Sequence, residues 1–400
     1  MILTKCAVCS TELGRTLGQK CGRCSTRYCG PACQKQHWQE FGHDQLCKRI
    51  KKEGGAEQYN ANTRYTAAVS IAAEACAEDT KGQTCHICTQ ALHWKTKEGL
   101  VRMCGCSGTS GFAHVSCLEE QAKILVAEAE ENNKDPQWHR WHKCGLCEQD
   151  YYGIVRCALG WACWKTYLGR PETDWDRRDA MNELGNGLLE TGQNEDALSV
   201  KEAELAMKRR LGASEDSILS VQGNLAGAYL QLGRKEQASR MLRDVYSGYL
   251  RLYGTDHRDT LREAYNYANT LNGLQRFAEA KALMRRTMPV ARRVLGENDN
   301  LTLMMRCIYA SALYRAEKAT LDDVREAVAM FDELARTTRR KLGEAHPLAV
   351  MVAQDLQNVQ GKLRKHEELE DMGFSSLAEA KEVLSAMEAM MTGDNSGPGI

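Results

Sequence analysis

The sequence predicts a mainly α-helical chain, with two small cysteine-rich finger domains at the front and an α-solenoid of helix pairs behind them. Three observations predict it. Fifteen of the 18 cysteines lie before residue 150. Most of those fifteen fall in close pairs that, with two histidines, have the spacing of metal ligands. From about residue 154 the cysteines thin out, and Leu-Gly or Tyr-Gly steps recur at intervals of 42 to 47 residues.

Composition narrows the function classes. The 53 basic and 53 acidic residues cancel, so the whole chain has no electrostatic pull toward nucleic acid or an anionic membrane. The start, MILTKC, carries no hydrophobic signal core. The best apolar run, Cys157–Leu168, contains Lys165 and falls short of the roughly 20 residues a bilayer requires. Clustered Cys-x2-Cys pairs beside histidines favour zinc over disulfides, and hence a reducing compartment, cytoplasmic or nuclear.

Residues 1–50 form the first finger. Its pairs are Cys6-x2-Cys9, Cys21-x2-Cys24, Cys29-x3-Cys33 and His43-x3-Cys47. His37 is a second candidate for the histidine ligand, but the His-x3-Cys spacing fits one helical turn and favours His43. The finger holds only a few sizeable apolar side chains, among them Leu17, Tyr28, Trp38, Phe41 and Leu46. Chains of about 40 residues seldom fold on such a core without metal or disulfides, so the zinc here is expected to be structural. The run YCGPACQKQHW, with the four pairs, resembles a MYND finger. That resemblance implies one zinc on Cys6, Cys9, Cys29 and Cys33 and another on Cys21, Cys24, His43 and Cys47. It also implies binding of short, often proline-containing peptides.

Residues 51–84 read as a helical linker. Gly54 and Gly55 break the chain, and the alanine-rich stretch Ala67–Ala77 favours a helix. Cys76 lies there without a partner pair and reads as a packing residue.

Residues 85–150 form the second finger. Its pairs are Cys85-x2-Cys88, Cys104-x-Cys106, His114-x2-Cys117 and Cys144-x2-Cys147. Eight ligands make two closed tetrahedral sites. The order and gaps, above all Cys104-x-Cys106 seven residues before His114, resemble a RING-CH finger, the RING variant of certain ubiquitin ligases. By that resemblance the pairs interleave. Cys85, Cys88, His114 and Cys117 would hold one zinc, and Cys104, Cys106, Cys144 and Cys147 the other, making four ions in the whole chain. The resemblance also implies that Ile87 and Trp141 contact a ubiquitin-conjugating enzyme; the plainer reading is that both pack the domain. Gly145 and Glu148 stand where such fingers often carry proline and a basic residue.

Residues 151–363 read as the solenoid. Glycines 169, 212, 254, 296 and 343 are spaced by 43, 42, 42 and 47 residues, and Asn182, Asn224 and Asn266 keep the 42-residue register. Internal repetition of this kind marks stacked helix pairs, with each glycine expected as a left-handed cap on the second helix. The register and small alanines resemble tetratricopeptide repeats in the longer form seen in kinesin light chains. Ile154–Leu168 reads as the second helix of an incomplete leading repeat, and the five extra residues near Lys318–Asp322 as a longer loop. Arg209, Arg251, Arg293 and Arg340 recur three residues before the glycines. They complement the helix dipole or form a basic stripe for an acidic partner. Cys157, Cys163 and Cys307 read as buried helix residues. Residues 364–400 are expected to hold an amphipathic helix capped by Ser376 and a disordered end.

Taken together, the resemblances imply a ubiquitin ligase without a covalent intermediate, with MYND finger and repeats binding protein or peptide partners. The alternative is a non-enzymatic scaffold whose zinc ions only fold interaction modules.

Overall fold

A computed structural model of the chain describes residues 5–11, 13, 17–132, 137–342, 344 and 347–371. The expected Ser376 helix and the end of the chain lie outside them, as do Gly343 and the first four residues. The described residues contain fourteen α-helices and one two-stranded sheet. They divide into two units, meeting between Gly233 and Arg234.

The first unit opens with an antiparallel pair, β1 (Gln19–Lys20) and β2 (Arg27–Tyr28), then α1 (Pro31–Gln39) and α2 (His43–Lys52). Its small core is Leu13, Tyr28, Ile50, Ala56 and the cysteines 6, 21, 24 and 47. Of the apolar residues expected to fill it, only Tyr28 is buried; Leu17, Trp38, Phe41 and Leu46 are exposed. The finger is too small to enclose them, which is the condition under which metal must replace apolar burial.

The helix expected at Ala67–Ala77 is longer, and it is not a solvated linker. α3 (Ala56–Ala75) starts in the first finger's core and packs along α5 (Gly153–Tyr167). Between them lie the second finger, α4 (Val115–Glu131) and a 3-10 turn at Trp138–Trp141. Eleven of the fifteen residues of α5 are buried, including Trp161, Trp164 and Arg156. A helix apolar all round must be enclosed, and α3, α4, the 3-10 turn and α6 (Trp175–Glu190) enclose it. At the crossing of α5 and α6, glycines replace side chains. A Cβ on Gly160 would lie 2.9 Å from the Glu183 carbonyl oxygen, and one on Gly187 2.9 Å from that of Arg156. One continuous core runs from Ala61 to Met207, through the second finger and α5, α6 and α7 (Asn194–Arg210). α8 (Glu215–Gln231) packs on α7.

This unit also buries charge. Glu183 forms an ion pair with Arg156 at 2.6 Å and faces His142 at 3.2 Å. Lys201 is fully buried, its ammonium on the Asn182 carbonyl oxygen (3.1 Å) and side-chain oxygen (2.5 Å). Asn224 donates to the same Asn182 oxygen at 2.9 Å, so two of the register asparagines meet. A buried ammonium needs this many partners to offset its desolvation.

The described residues of the second unit form six helices: α9 (Lys235–Tyr253), α10 (Arg258–Gly273), α11 (Phe277–Leu295), α12 (Asn300–Arg315), α13 (Leu321–Leu342) and α14 (Pro347–Asp371). Each packs on the next, and α12, buried along most of its length, is central. The five extra residues are shared: the inter-helix loop grows from 274–276 to 316–320, and the second helix from 19 residues to 22.

The repeat glycines are not all left-handed caps. Gly212 has φ 64°. Gly254 (77°, −173°) and Gly296 (92°, 158°) occupy an extended positive-φ region open essentially to glycine alone. Gly169 lacks a positive φ. Basic side chains at the ends of second helices tie back to the start of the same pair: Arg210 to Glu172, Arg293 to Asp256 (2.8 Å) and Lys341 to the Asn298 carbonyl (2.6 Å). Cys157, Cys163 and Cys307 are buried. No helix among the described residues is long and apolar enough to cross a membrane.

Candidate metal centres

Four turns of one shape carry the first cysteine of a ligand pair. The carbonyls of Cys6, Cys21, Cys85 and Cys144 each accept from the amide four residues on, at 2.9–3.1 Å. That fourth residue is left-handed each time: Ser10 (57°), Ser25 (64°), Thr89 (61°) and Glu148 (55°). The turn aims amides at sulfur: Ile87 N lies 3.4 Å from Cys85 Sγ, and Leu146 N 3.5 Å from Cys144 Sγ. The other pairs ride on helices. Pro31 starts α1 just past Cys29 and places Cys33 in its first turn. His43 and Cys47 stand one turn apart on α2, and Cys117 lies in the first turn of α4 behind His114.

These elements bring sixteen donor atoms into four groups, each with all its donors within 4.8 Å of one another. The groups are Cys6, Cys9, Cys29, Cys33; Cys21, Cys24, His43, Cys47; Cys85, Cys88, His114, Cys117; and Cys104, Cys106, Cys144, Cys147. The second finger's pairs therefore interleave. His43, rather than His37, enters the second group; His37 Nδ1 lies instead 2.9 Å from the Tyr28 hydroxyl.

The donors fit zinc. Tetrahedral Zn–S bonds of about 2.3 Å place two sulfurs about 3.8 Å apart, and a sulfur and an imidazole nitrogen about 3.5 Å apart. Observed sulfur pairs are Cys9–Cys29 (3.5 Å), Cys21–Cys47 (3.8 Å) and Cys106–Cys144 (3.7 Å). His43 Nε2 lies 3.4 Å from Cys24 Sγ, and His114 Nδ1 3.4 Å from Cys88 Sγ. The histidines thus present opposite nitrogens. His114 Nε2 faces the Ala91 carbonyl at 3.4 Å, the outer contact that fixes a ligating tautomer. Burial lowers both histidines, favouring the neutral ring that binds metal.

The thiols cannot all ionise together. The Thr11 hydroxyl helps hold Cys9 down at about 6, whereas Cys29 and Cys9 push Cys33 up to about 12. Contact with Cys104 lowers Cys144 to about 4, and the same contact raises Cys104. A dication removes this conflict, because every thiolate then faces positive charge. Each group supplies four protein donors, so no coordination position stays open for water, as in structural rather than catalytic sites.

The two expected partner contacts separate. Ile87 is half-buried between Cys85 and Cys88. Trp141 is fully buried, its ring 5.8 Å from that of Tyr167, so it packs the core and cannot meet a partner at the surface. Sequence reasoning missed Leu146, 52% exposed between Cys144 and Cys147, although its place in the knuckle, matching Ile87, was a signal. Glu148 pairs with Arg140 at 2.9 Å.

The family model for the MYND finger matches residues 6–47, and the one for the tetratricopeptide repeat matches 218–259 and 264–300. The chain therefore combines a MYND finger with tetratricopeptide repeats. No curated protein matches it. Among solved structures it is similar to a Podosopora anserina chain described as a kinesin light chain with nearly identical TPR-like repeats. That chain is 19% identical, with 57% of this chain and 100% of that one covered and a TM-score of 0.40. It is also similar to BtubC (BKLC) from P. vanneervenii, 16% identical, with 72% and 95% covered and a TM-score of 0.40.

Proposed function

We propose that this chain is a zinc-held protein-interaction scaffold that binds four zinc ions and grips peptide partners through its MYND finger and repeats. One observation carries the reading. Trp38 (43% exposed) and Phe41 (56%) stand on and just beyond α1, beside the second donor group. Large apolar side chains displayed next to a metal-fixed backbone mark interaction surfaces. In MYND fingers such surfaces take short proline-containing peptides. Titrating the full chain with a panel of such peptides tests this. Binding lost in Trp38→Ala, with zinc content retained, is the expected result; a panel that binds wild type and Trp38→Ala equally would refute it.

A second reading makes the finger at 85–147 a recruiter of ubiquitin-conjugating enzymes. It rests on the ligand spacing and on the knuckle pair Ile87 and Leu146, half-buried and exposed. RING-type fingers touch the conjugating enzyme through apolar residues of this kind and need no nucleophile of their own. Ubiquitin discharge from a panel of conjugating enzymes decides. Discharge that Ile87→Ala abolishes favours the ligase; silence from the wild type with every enzyme leaves the scaffold.

A further inference from the structure

We propose that residues 76–152 are an insertion inside one split helix pair, α3 with α5, and that zinc at the Cys104–Cys106–Cys144–Cys147 group closes that pair. The proposal rests on the reading that this group holds metal. α3 ends at Ala75 and α5 begins at Gly153, yet the two pack along each other. α5 packs on α6, α6 on α7 and α7 on α8, so α3 stands where the first helix of the leading repeat belongs. Two side chains of α3 meet one residue near the end of α5. Gln58 of α3 donates to the Lys165 carbonyl at 3.0 Å, and the Lys165 ammonium sits 4.2 Å from the centre of the Tyr65 ring.

The insertion is clasped at its base by two consecutive residues, Arg102 and Met103. The Cys76 thiol reaches the Arg102 carbonyl at 3.9 Å, and the Tyr152 amide donates to the Met103 carbonyl at 3.1 Å. One end of the insertion is therefore held by Arg102 and the other by its neighbour. Arg102 also grips Asp79, just beyond α3, with two nitrogens at 2.8 and 2.5 Å. Its guanidinium lies over the Phe112 ring at 4.3 Å and donates to the Gly108 carbonyl at 2.7 Å. The next residue after the clasp is the ligand Cys104. Metal that fixes Cys104 fixes the clasp, and the clasp brings the end of α3 to the start of α5. Without it, closing the pair means closing a free loop of more than 70 residues, an entropic cost the fixed finger removes.

Hydrogen exchange on the full chain tests this, with zinc content measured in parallel. Cys144→Ser removes one donor of the group. The expected result is exchange on the order of tenfold faster or more in α3 and α5, with α10 to α12 unchanged. Asp79→Asn leaves every ligand in place; it should keep its zinc and speed exchange in the last turns of α3. Protection of α3 and α5 that survives loss of this zinc overturns the proposal, as does uniform loss across all helices. Unchanged exchange in Asp79→Asn overturns the clasp. A wild-type chain with no zinc at this group overturns the metal reading and the proposal together.

Discussion

The Lys165 ammonium lies 2.5 Å from a carboxylate oxygen of Glu119, joining α5 to α4. The two side chains are 19% and 10% exposed. Replacing Lys165 with Met keeps the packing of the stem but leaves Glu119 without its cation. The variant should lose about 2–3 kcal/mol of stability, read from urea unfolding followed by tryptophan fluorescence. An unchanged midpoint would mean that the pair contributes nothing.

Elemental analysis of the purified chain should give four zinc ions. Two or fewer would contradict the geometry of the donor groups. His43→Ala should lose about one ion. His37→Ala should lose none, since His37 turns to Tyr28.

Asp179 gives a pH signature. Burial raises its carboxyl to about 6, against a partial lowering by Lys208. A carboxyl raised by folding binds its proton more tightly in the native state. The native chain therefore pays a charging penalty that is full above pH 6 and gone below about 4. Asp179→Asn should stabilise the protein by about 1–2 kcal/mol at pH 7, after allowance for screening. The gain should vanish as pH falls through 6 to 4. Thermal melts across that range check it; a gain that does not depend on pH would rule out ionisation as its source.

Two glycine substitutions should have opposite signs. Gly227, in α8, has open space where a Cβ would go, so Gly227→Ala should stabilise by up to about 1 kcal/mol through helix propensity. Gly187→Ala would press a methyl to 2.9 Å from the backbone of α5, where nothing flexible can yield. It should cost about 1–3 kcal/mol. Equal effects in denaturant unfolding would mean that the helix crossing is looser than described.

What was legible in the sequence was what rests on local spacing. Ligand pairs lie two to four residues apart, and the repeat register recurs along the chain, so both could be read without a partner in view. The role of α3 could not, because 77 residues separate its end from the start of its partner α5. Half of α3 is polar, and its buried residues declare themselves only against α5 and the finger. Trp141 stayed open between partner contact and core packing because a tryptophan beside a knuckle looks alike whether it faces solvent or Tyr167. Lys201 and Glu204 gave no hint of burial, since charged residues on a helix normally line its solvated face. The left-handed turns at Ser10, Ser25, Thr89 and Glu148 were hidden for the opposite reason: none of them uses glycine, so sequence preference pointed elsewhere.

The donor groups also change what the chain is as an electrolyte. Counted from its sequence it is neutral, 53 against 53, with its thiols protonated. Two of the four groups are all cysteine and two contain one histidine, so fourteen thiolates face four dications when every group is loaded. Eight positive charges cannot balance fourteen negative ones, and a loaded chain carries six extra negative charges, all before residue 150. Its isoelectric point falls below the 7.1 that the sequence alone implies. The front of the molecule becomes an anion of fixed sign that no count of Asp, Glu, Lys and Arg reveals. Loading with metal is then visible as a change in electrophoretic mobility, and basic partners meet a field that exists only in the loaded protein.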